Sequence, residues 1–163
     1  MILCELPPFL KTVTCAVTGH RVLPPDFDDE ILKTQLEKIE KSGYKAFLVG
    51  MALGFDTRCF SALENLRDEG ADIKIYSVIP CLDQSERFNR RDKELYDKMI
   101  SAADGKVILY QSYTKDCMLR RNDFMLENCS LVYSYFNGIH RGGTFYTVNK
   151  AKERGLDIIY YPL

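Results

Sequence analysis

The pattern of hydrophobic positions changes period repeatedly along the chain. Six short, nearly continuous runs of β-branched and apolar residues recur, and such runs are typical of strands that are covered on both faces. They occupy residues 12–18, 45–50, 73–79, 106–110, 130–136 and 157–161. We therefore predict about six buried β-strands.

Between these runs, apolar residues repeat at the three- and four-residue spacing of amphipathic helices. In residues 27–42 the stripe includes Leu32 and Leu36, with Asp26 as the expected N-cap and Gly43 at the end of the helix. The other predicted helices are residues 56–69, 84–103, 116–128 and 142–154.

Strands that alternate with helices predict an α/β fold. We expect a Rossmann-like, doubly wound, mostly parallel sheet of about six strands, with helices on both faces. The sequence contains no linker, internal repeat or low-complexity tract, so residues 1–163 are expected to form a single domain.

Composition narrows the class of protein. The formal net charge of −1 gives no overall attraction to nucleic acid or to an anionic membrane surface. The six cysteines have no paired C-x-x-C spacing, and the N-terminus resembles no secretory signal. We expect a cytoplasmic protein without a membrane partner.

Polar or glycine-bearing turns follow four of the predicted strands. In an alternating chain such turns lie at the carboxyl ends of parallel strands, where the next helix offers free N–H groups to an anion. The four turns are Thr18-Gly19-His20-Arg21, the segment from Gly50 to Asp56, Pro80, and Arg141-Gly142-Gly143-Thr144. Together they predict a site for a phosphate-bearing ligand.

The first turn combines several ligand-binding groups. Gly19 would let the backbone approach a ligand, and Thr18 and His20 could donate hydrogen bonds. Arg21 could fork onto a phosphate or carboxylate. A tight strand exit with a solvated arginine is an equally good interpretation of this turn alone.

The other glycine turns differ in charge. Gly50 and Gly54 precede Asp56, which can cap the following helix or accept hydrogen bonds from a ribose hydroxyl or an amine. Gly142 and Gly143 at a predicted helix start resemble a phosphate cradle. Thr144 and Thr147 would add hydroxyl donors there.

Two groups of arginines are further candidates. Arg87, Arg90 and Arg91 would share one face of the predicted helix 84–103. Arg120 and Arg121 are followed by Asn122. Solvated helix faces are the simplest interpretation, but either group would supply positive charge if it faced the crevice.

Several enzyme signatures are missing. The sequence has no G-x-G-x-x-G, no G-x-x-x-x-G-K-[ST] and no nucleophile elbow, and its two histidines are far apart. We therefore expect no dinucleotide cofactor and no metal site, and the catalytic residues, if there are any, stay unassigned.

The order of these motifs resembles a known family. T-G-H-R, G-M-A-L-G-F-D, Pro80, R-R-N-D-F-M (Arg120 to Met125) and R-G-G-T together are similar to the YpsA-like members of the SLOG superfamily, over residues 12 to 161. That superfamily includes the DNA-processing protein DprA (Smf) and the LOG phosphoribohydrolases. The resemblance implies a Rossmann-like domain that binds nucleotides, nucleotide-derived signals or single-stranded DNA, with a homodimer as a further expectation.

The chain departs from the LOG pattern at one position. LOG enzymes place a glutamate three residues after the glycine-rich threonine, and here that position is Thr147. Cleavage of an N-glycosidic bond needs a carboxylate near the anomeric carbon. Asp56 or Glu127 would have to replace it.

Three functions remain open from the sequence. The favoured hypothesis is a sensor or regulatory domain that binds a nucleotide or nucleotide-like phosphate ligand at the carboxyl ends of the strands. The alternatives are a LOG-like nucleoside-monophosphate phosphoribohydrolase and a DprA-like single-stranded DNA binder.

Overall fold

A computed structural model describes residues 1–7 and 10–163 of the chain. The strands are β1 (Leu3–Cys4), β2 (Thr14–Gly19), β3 (Ala46–Val49), β4 (Lys74–Cys81), β5 (Gly105–Tyr110), β6 (Leu131–Tyr135) and β7 (Asp157–Tyr160). The helices are α1 (Asp29–Lys41), α2 (Phe55–Asp68), α3 (Arg90–Ala102), α4 (Cys117–Glu127) and α5 (Gly143–Glu153), with a 3-10 turn at Lys11–Val13.

The strands form one sheet in the order β1-β5-β4-β3-β2-β6-β7. Among the strands of residues 1–7 and 10–163, β1 alone is antiparallel to its neighbour, and the other pairings are parallel. The chain moves outward from β2 to β5 and then returns to β6 on the other side of β2. The strand order therefore reverses between β2 and β6, where ligands of open α/β sheets bind.

Two apolar layers cover the sheet. Helices α1, α2 and α3 pack on one face, where Leu36 and Phe60 meet Val17 of β2. Helices α4 and α5 pack on the other, where Met125 and Ala151 contribute to the same cluster as Ala16, Leu48 and Val78. Adjacent residues of β2 thus point into opposite layers, as strand geometry requires. The predicted doubly wound α/β fold is confirmed.

Several boundaries differ from the sequence prediction. Strand β2 begins at Thr14 because the preceding residues form the 3-10 turn. The predicted cap Asp26 is wrong: Asp28 caps α1, and its carboxylate accepts a hydrogen bond from the Glu30 N–H at 2.8 Å. The two-residue strand β1 was not predicted, because it is too short to show a hydrophobic period.

The largest difference lies before α3. The predicted helix 84–103 begins only at Arg90, since Asn89 accepts a hydrogen bond from the Asp92 N–H at 2.8 Å and caps it. Residues 82–88 form a turn instead. Arg87 lies in that turn, so the predicted arginine stripe on one helical face is wrong.

Pro80 lies inside β4 and not in the turn after it. The pairing of β4 with β3 ends at Ser77, and towards β5 the paired residues are Ile79 and Cys81. Residue 80 thus lies where neither neighbouring strand requires an N–H donor, so a proline is tolerated there.

None of the helices in the described part of the chain is both long and apolar enough to cross a membrane.

Candidate functional site

The three predicted glycine turns lie at the carboxyl edge of the sheet, where Pro80 lies near the end of β4, because β2, β3, β4 and β6 are parallel. Across the point where the strand order reverses, the Asn137 N–H donates to Nε2 of His20 at 3.0 Å. Burial lowers the pKa of His20, and an interaction with the Asn137 side chain opposes that effect. His20 thus ties the loop after β2 to the loop after β6.

Two of the predicted glycines are packed tightly within the protein. A side chain at Gly19 would place its Cβ 2.6 Å from the Cβ of Phe55. A side chain at Gly54 would lie 2.6 Å from the His20 carbonyl oxygen, and the φ of Gly54 is +86°. Both glycines allow the start of α2 to pack against the loop after β2.

A chain of contacts links the other glycines through α4. Arg121 is buried, and its guanidinium donates to the Gly50 carbonyl oxygen and, at 2.7 Å, to the side chain of Asn122. The Asn122 amide nitrogen in turn lies 3.7 Å from the position of a Cβ on Gly143. Arg121 therefore anchors the loop after β3, and its neighbour Asn122 lies beside the start of α5.

Asp56 is a buried carboxylate near that arginine. Its Oδ2 accepts a hydrogen bond from the Ala52 N–H at 3.1 Å, which closes the loop of Gly50 to Asp56. Burial raises the pKa of Asp56 to about 6, although Arg121 and the Ala52 N–H both favour the ionised form. Burial also disfavours the charged form of Arg121 and so lowers its pKa, whereas the negative charge of Asp56 opposes this effect. The sequence interpretation of Arg121 as part of a solvated face is wrong.

The start of α5 remains open. Gly142 is the N-cap with φ +91°, no side chain in the described part of the protein caps the helix, and both Gly142 and Gly143 are exposed. Behind them Thr144 and Thr147 are buried, and the Thr147 hydroxyl donates to the Gly143 carbonyl oxygen at 2.8 Å. Thr18 is also buried and pairs with Ser134 of β6.

The carboxyl edge contains a cleft of about 380 Å³. It is formed by loops that follow four neighbouring parallel strands, β2, β3, β4 and β5, together with α4. Its lining residues are Arg21, Ala52, Cys81, Asp83, Gln84, Glu86, Arg87, Phe88, Tyr113 and Met118. Gly142 and Gly143 are not among them.

Most of the cleft residues were not among the predicted site residues, and three of the missed ones are Asp83, Phe88 and Tyr113. Phe88 lies in the predicted helix 84–103, Asp83 immediately precedes it, and Tyr113 follows β5 in a polar loop. Tyr113 is 63% exposed, and the Arg21 guanidinium lies 5.9 Å from the ring centre of Phe88. Their place directly after parallel strands was the signal that could have identified them.

The remaining polar candidates lie on solvated faces. Arg120 pairs with Asp116 at 3.3 Å and with Asp123 at 3.1 Å. Arg90 pairs with Glu94 at 3.1 Å. Within residues 1–7 and 10–163, histidine, cysteine and carboxylate side chains form no group of three suited to a metal ion.

A family profile decides the wider assignment. The profile YpsA, described as the YspA SLOG family, matches residues 27–160. The chain belongs to this family. The resemblance inferred from the turn motifs is thereby confirmed.

Relatives of this SLOG protein occur in Bacillus. A UPF0398 protein of Bacillus pumilus is 24% identical over 124 residues, which are 75% of this chain and 67% of that protein. A UPF0398 protein of Bacillus velezensis is 23% identical over 151 residues, or 85% of this chain and 83% of that one.

The fold is similar to solved structures of DNA processing protein A. The Streptococcus pneumoniae protein superposes with a TM-score of 0.66 at 22% identity over 92% of this chain. The Helicobacter pylori protein superposes with a TM-score of 0.69 at 18% identity over 94% of this chain. The SLOG chain spans only 50% and 66% of these two proteins, respectively, and the likeness shows a shared fold.

Proposed function

We propose that the chain binds a nucleotide or nucleotide-derived phosphate ligand at the carboxyl edge of its sheet. The observation that supports this most directly is the cleft of about 380 Å³ built from loops after four parallel strands. Its volume lies within the range of roughly 300–1,000 Å³ that is usual for small-molecule sites. Family membership supports a binding role as well.

The cleft lining has the chemistry that a nucleotide requires. Phe88 and the exposed Tyr113 offer aromatic surfaces on which a base can stack. Arg21 and Arg87 offer guanidinium groups for a phosphate. We assign the base to the aromatic side of the cleft and the phosphate to Arg21.

The start of α5 is a second place for an anion. Gly142 and Gly143 are exposed, and no side chain occupies the free N–H groups of the first turn. Asn122, anchored by Arg121, lies beside them. A ligand with more than one phosphate could use both Arg21 and this turn.

Thermal denaturation with a panel of AMP, GMP, CMP and UMP tests the proposal. At a concentration of ~100 times Kd, a bound nucleotide stabilises the folded state by ~2.7 kcal/mol. Arg21→Ala should remove most of that stabilisation. Arg154→Ala is the matched control, because Arg154 lies beyond the C-terminal end of α5, at the opposite edge of the sheet, near Glu127. Equal loss in both variants, or no stabilisation by any nucleotide, would contradict the proposal.

Single-stranded DNA is a second candidate ligand. The Helicobacter pylori protein, which shares this fold, was solved to explain its mode of single-stranded DNA binding. In this chain, the exposed ring of Tyr113 and the exposed Arg87 lie together along the cleft. An oligonucleotide that contacts several phosphates should lose affinity by orders of magnitude between ~50 and ~200 mM salt, whereas a mononucleotide should lose little.

The LOG-like hydrolase alternative receives less support from the placement of the carboxylates. Thr147 is buried against the Gly143 carbonyl oxygen and carries no acid. Asp56 is buried under the loop after β3, and Glu127 ends α4 at the opposite edge of the sheet. We therefore expect no release of free base from any bound nucleoside monophosphate.

A further inference from the structure

The loop between β6 and α5, residues 136–142, is tied to the loop after β2 at one point. Within this loop, the Ile139 N–H donates to the Asn137 side-chain oxygen at 3.0 Å, and the Arg141 N–H donates to the Ile139 carbonyl oxygen at 2.8 Å. Among the described residues, the hydrogen bond that joins residues 137–142 to another loop is the one at His20, whose Nε2 accepts from the Asn137 N–H at 3.0 Å. The position of the loop therefore depends on one imidazole nitrogen.

This contact requires a neutral imidazole. Nε2 of His20 accepts a hydrogen bond only while it carries no proton, so the single proton of the neutral ring is on Nδ1. A second proton converts Nε2 from an acceptor into a donor. Two N–H groups would then face each other across the 3.0 Å that separates Nε2 from the Asn137 nitrogen. The hydrogen bond between the two loops is therefore lost when His20 becomes charged.

A charged His20 has another partner close by. An interaction with the Asn137 side chain favours the protonated form of His20 and so raises its pKa. In the neutral state the Asn137 side-chain oxygen accepts from the Ile139 N–H. The charged ring competes with Ile139 for this oxygen, because an imidazolium is the stronger donor. The loop thus has one set of hydrogen bonds for each charge state of His20.

The surroundings of His20 are mainly aromatic. Its ring packs edge-on against Tyr135, with the ring centres 5.6 Å apart, and lies 6.0 Å from the ring centre of Phe136. Burial in this setting lowers the pKa of His20 from 6.5. The ionisable groups on the elements around it are Arg21, Asp26, Asp56, Tyr135, His140 and Arg141. Of these, buried Asp56 at the start of α2 has a pKa of about 6, so a test has to separate its titration from that of His20.

We propose that His20 is a pH-sensitive switch that holds the loop after β6 while its imidazole is neutral and releases the loop when the imidazole is charged. His20 follows β2 and Asn137 follows β6, so the switch spans the point at which the strand order reverses. Release separates the two loops and frees the segment that leads to the exposed start of α5 at Gly142 and Gly143. The switch operates without a bound nucleotide.

An NMR titration of the whole chain between about pH 8 and about pH 5 tests the switch directly. The amide signals of Asn137 and Ile139 should shift together with the His20 ring signals, with one shared midpoint below 6.5. At the alkaline end, the ring nitrogen shifts of His20 should show the proton on Nδ1. Amide signals that do not follow the ring, or a proton on Nε2 at the alkaline end, would overturn the proposal.

Three variants assign the transition to a side chain. His20→Gln offers an amide oxygen as an acceptor that does not titrate, so the Asn137 signal should stay constant across the pH range. His20→Phe keeps an aromatic ring without an acceptor, and its Asn137 signal should resemble the acidic state of wild type at every pH. His140→Gln is the matched control, because His140 is the other histidine of the chain and its exposed ring stacks on Phe145 at 4.9 Å. This variant should keep the transition of wild type.

The other outcomes exclude His20 as the switch. A transition that persists in His20→Gln belongs to Asp56 or to another group, and one that disappears in His140→Gln belongs to His140. Should either His20 variant unfold, the tautomer and the shared midpoint of wild-type protein still decide. The nucleotide proposal is tested by binding, so either proposal can fail while the other holds.

Discussion

Gly19 and Phe55 leave no room between them for a side chain at position 19, where a Cβ would lie 2.6 Å from the Cβ of Phe55. Phe55 is fully buried at the start of α2, and its backbone N–H donates to the His20 carbonyl oxygen at 3.1 Å. The lack of a side chain at Gly19 therefore allows the start of α2 to pack against the loop after β2. The size of this glycine is required by the packing of the protein itself.

Gly19→Ala should destabilise the fold, whereas Gly143→Ala should not. Overpacking of a tight site costs about 1–3 kcal/mol. A Cβ at position 143 would meet only the Asn122 amide nitrogen at 3.7 Å, an ordinary contact distance. Urea denaturation of both variants measures the difference. Equal stability of the two variants would show that Phe55 moves aside without cost.

Arg121→Ala should cost much more stability than Arg120→Ala. Arg121 is buried and anchors Gly50, so its loss leaves the Asp56 carboxylate without a nearby positive charge, at a cost of roughly 3–5 kcal/mol. Arg120 is itself 56% exposed in its pairs with Asp116 and Asp123, and such exposed pairs contribute about 0–1 kcal/mol. Denaturant midpoints for the two neighbouring arginines would test this, and similar values would contradict the anchoring role.

The stability difference between wild type and Asp56→Asn should depend on pH. Burial raises the pKa of Asp56 from 3.8 to about 6, so between these values the folded state keeps a proton that the unfolded chain has lost. Stability contributed by this group therefore falls as pH rises from about 4 to about 6 and is constant above that range. The two pKa values differ by about 2 units, which corresponds to on the order of 3 kcal/mol. A difference that instead grew with pH would mean that Arg121 outweighs burial.

Tyr113→Ala should weaken nucleotide binding without lowering stability. The ring is 63% exposed, so its removal exposes little core, whereas a stacked base contributes about 1–3 kcal/mol. Tyr160→Ala is the control, because Tyr160 is also exposed but lies on the edge strand β7. Titration of both variants with the nucleotide that stabilises wild type most strongly would distinguish them. Unchanged affinity in Tyr113→Ala would show that the base does not stack on Tyr113.

Much of the fold follows from local patterns in the sequence. The buried runs of β2 and β6 are rich in apolar, aromatic and β-branched residues, and Gly43 ends α1 as expected, with φ +115° two residues beyond Lys41. The start of α3 was harder to predict, since residues 84–89 carry a helix-like composition and only the Asn89 cap fixes the boundary.

The candidate site was only partly predictable. Turns after parallel strands share an edge whatever their sequence, so Arg21, Gly50 and Gly143 could be grouped without coordinates. The neighbours of Gly19 could not, because its contact with Phe55 depends on how α2 packs against β2. The burial of Arg121 and the hydrogen bond from Asn137 to His20 likewise arise from tertiary packing and leave no mark in the local sequence.

The most direct test of the central claim is a crystal structure of the chain with the nucleotide that stabilises it most. We predict electron density in the cleft, with the base against Phe88 or Tyr113 and the phosphate within hydrogen-bonding distance of Arg21. Density only in the groove between α4 and α5, lined by Tyr146 and Lys150, would contradict it, as would an empty cleft at saturating nucleotide.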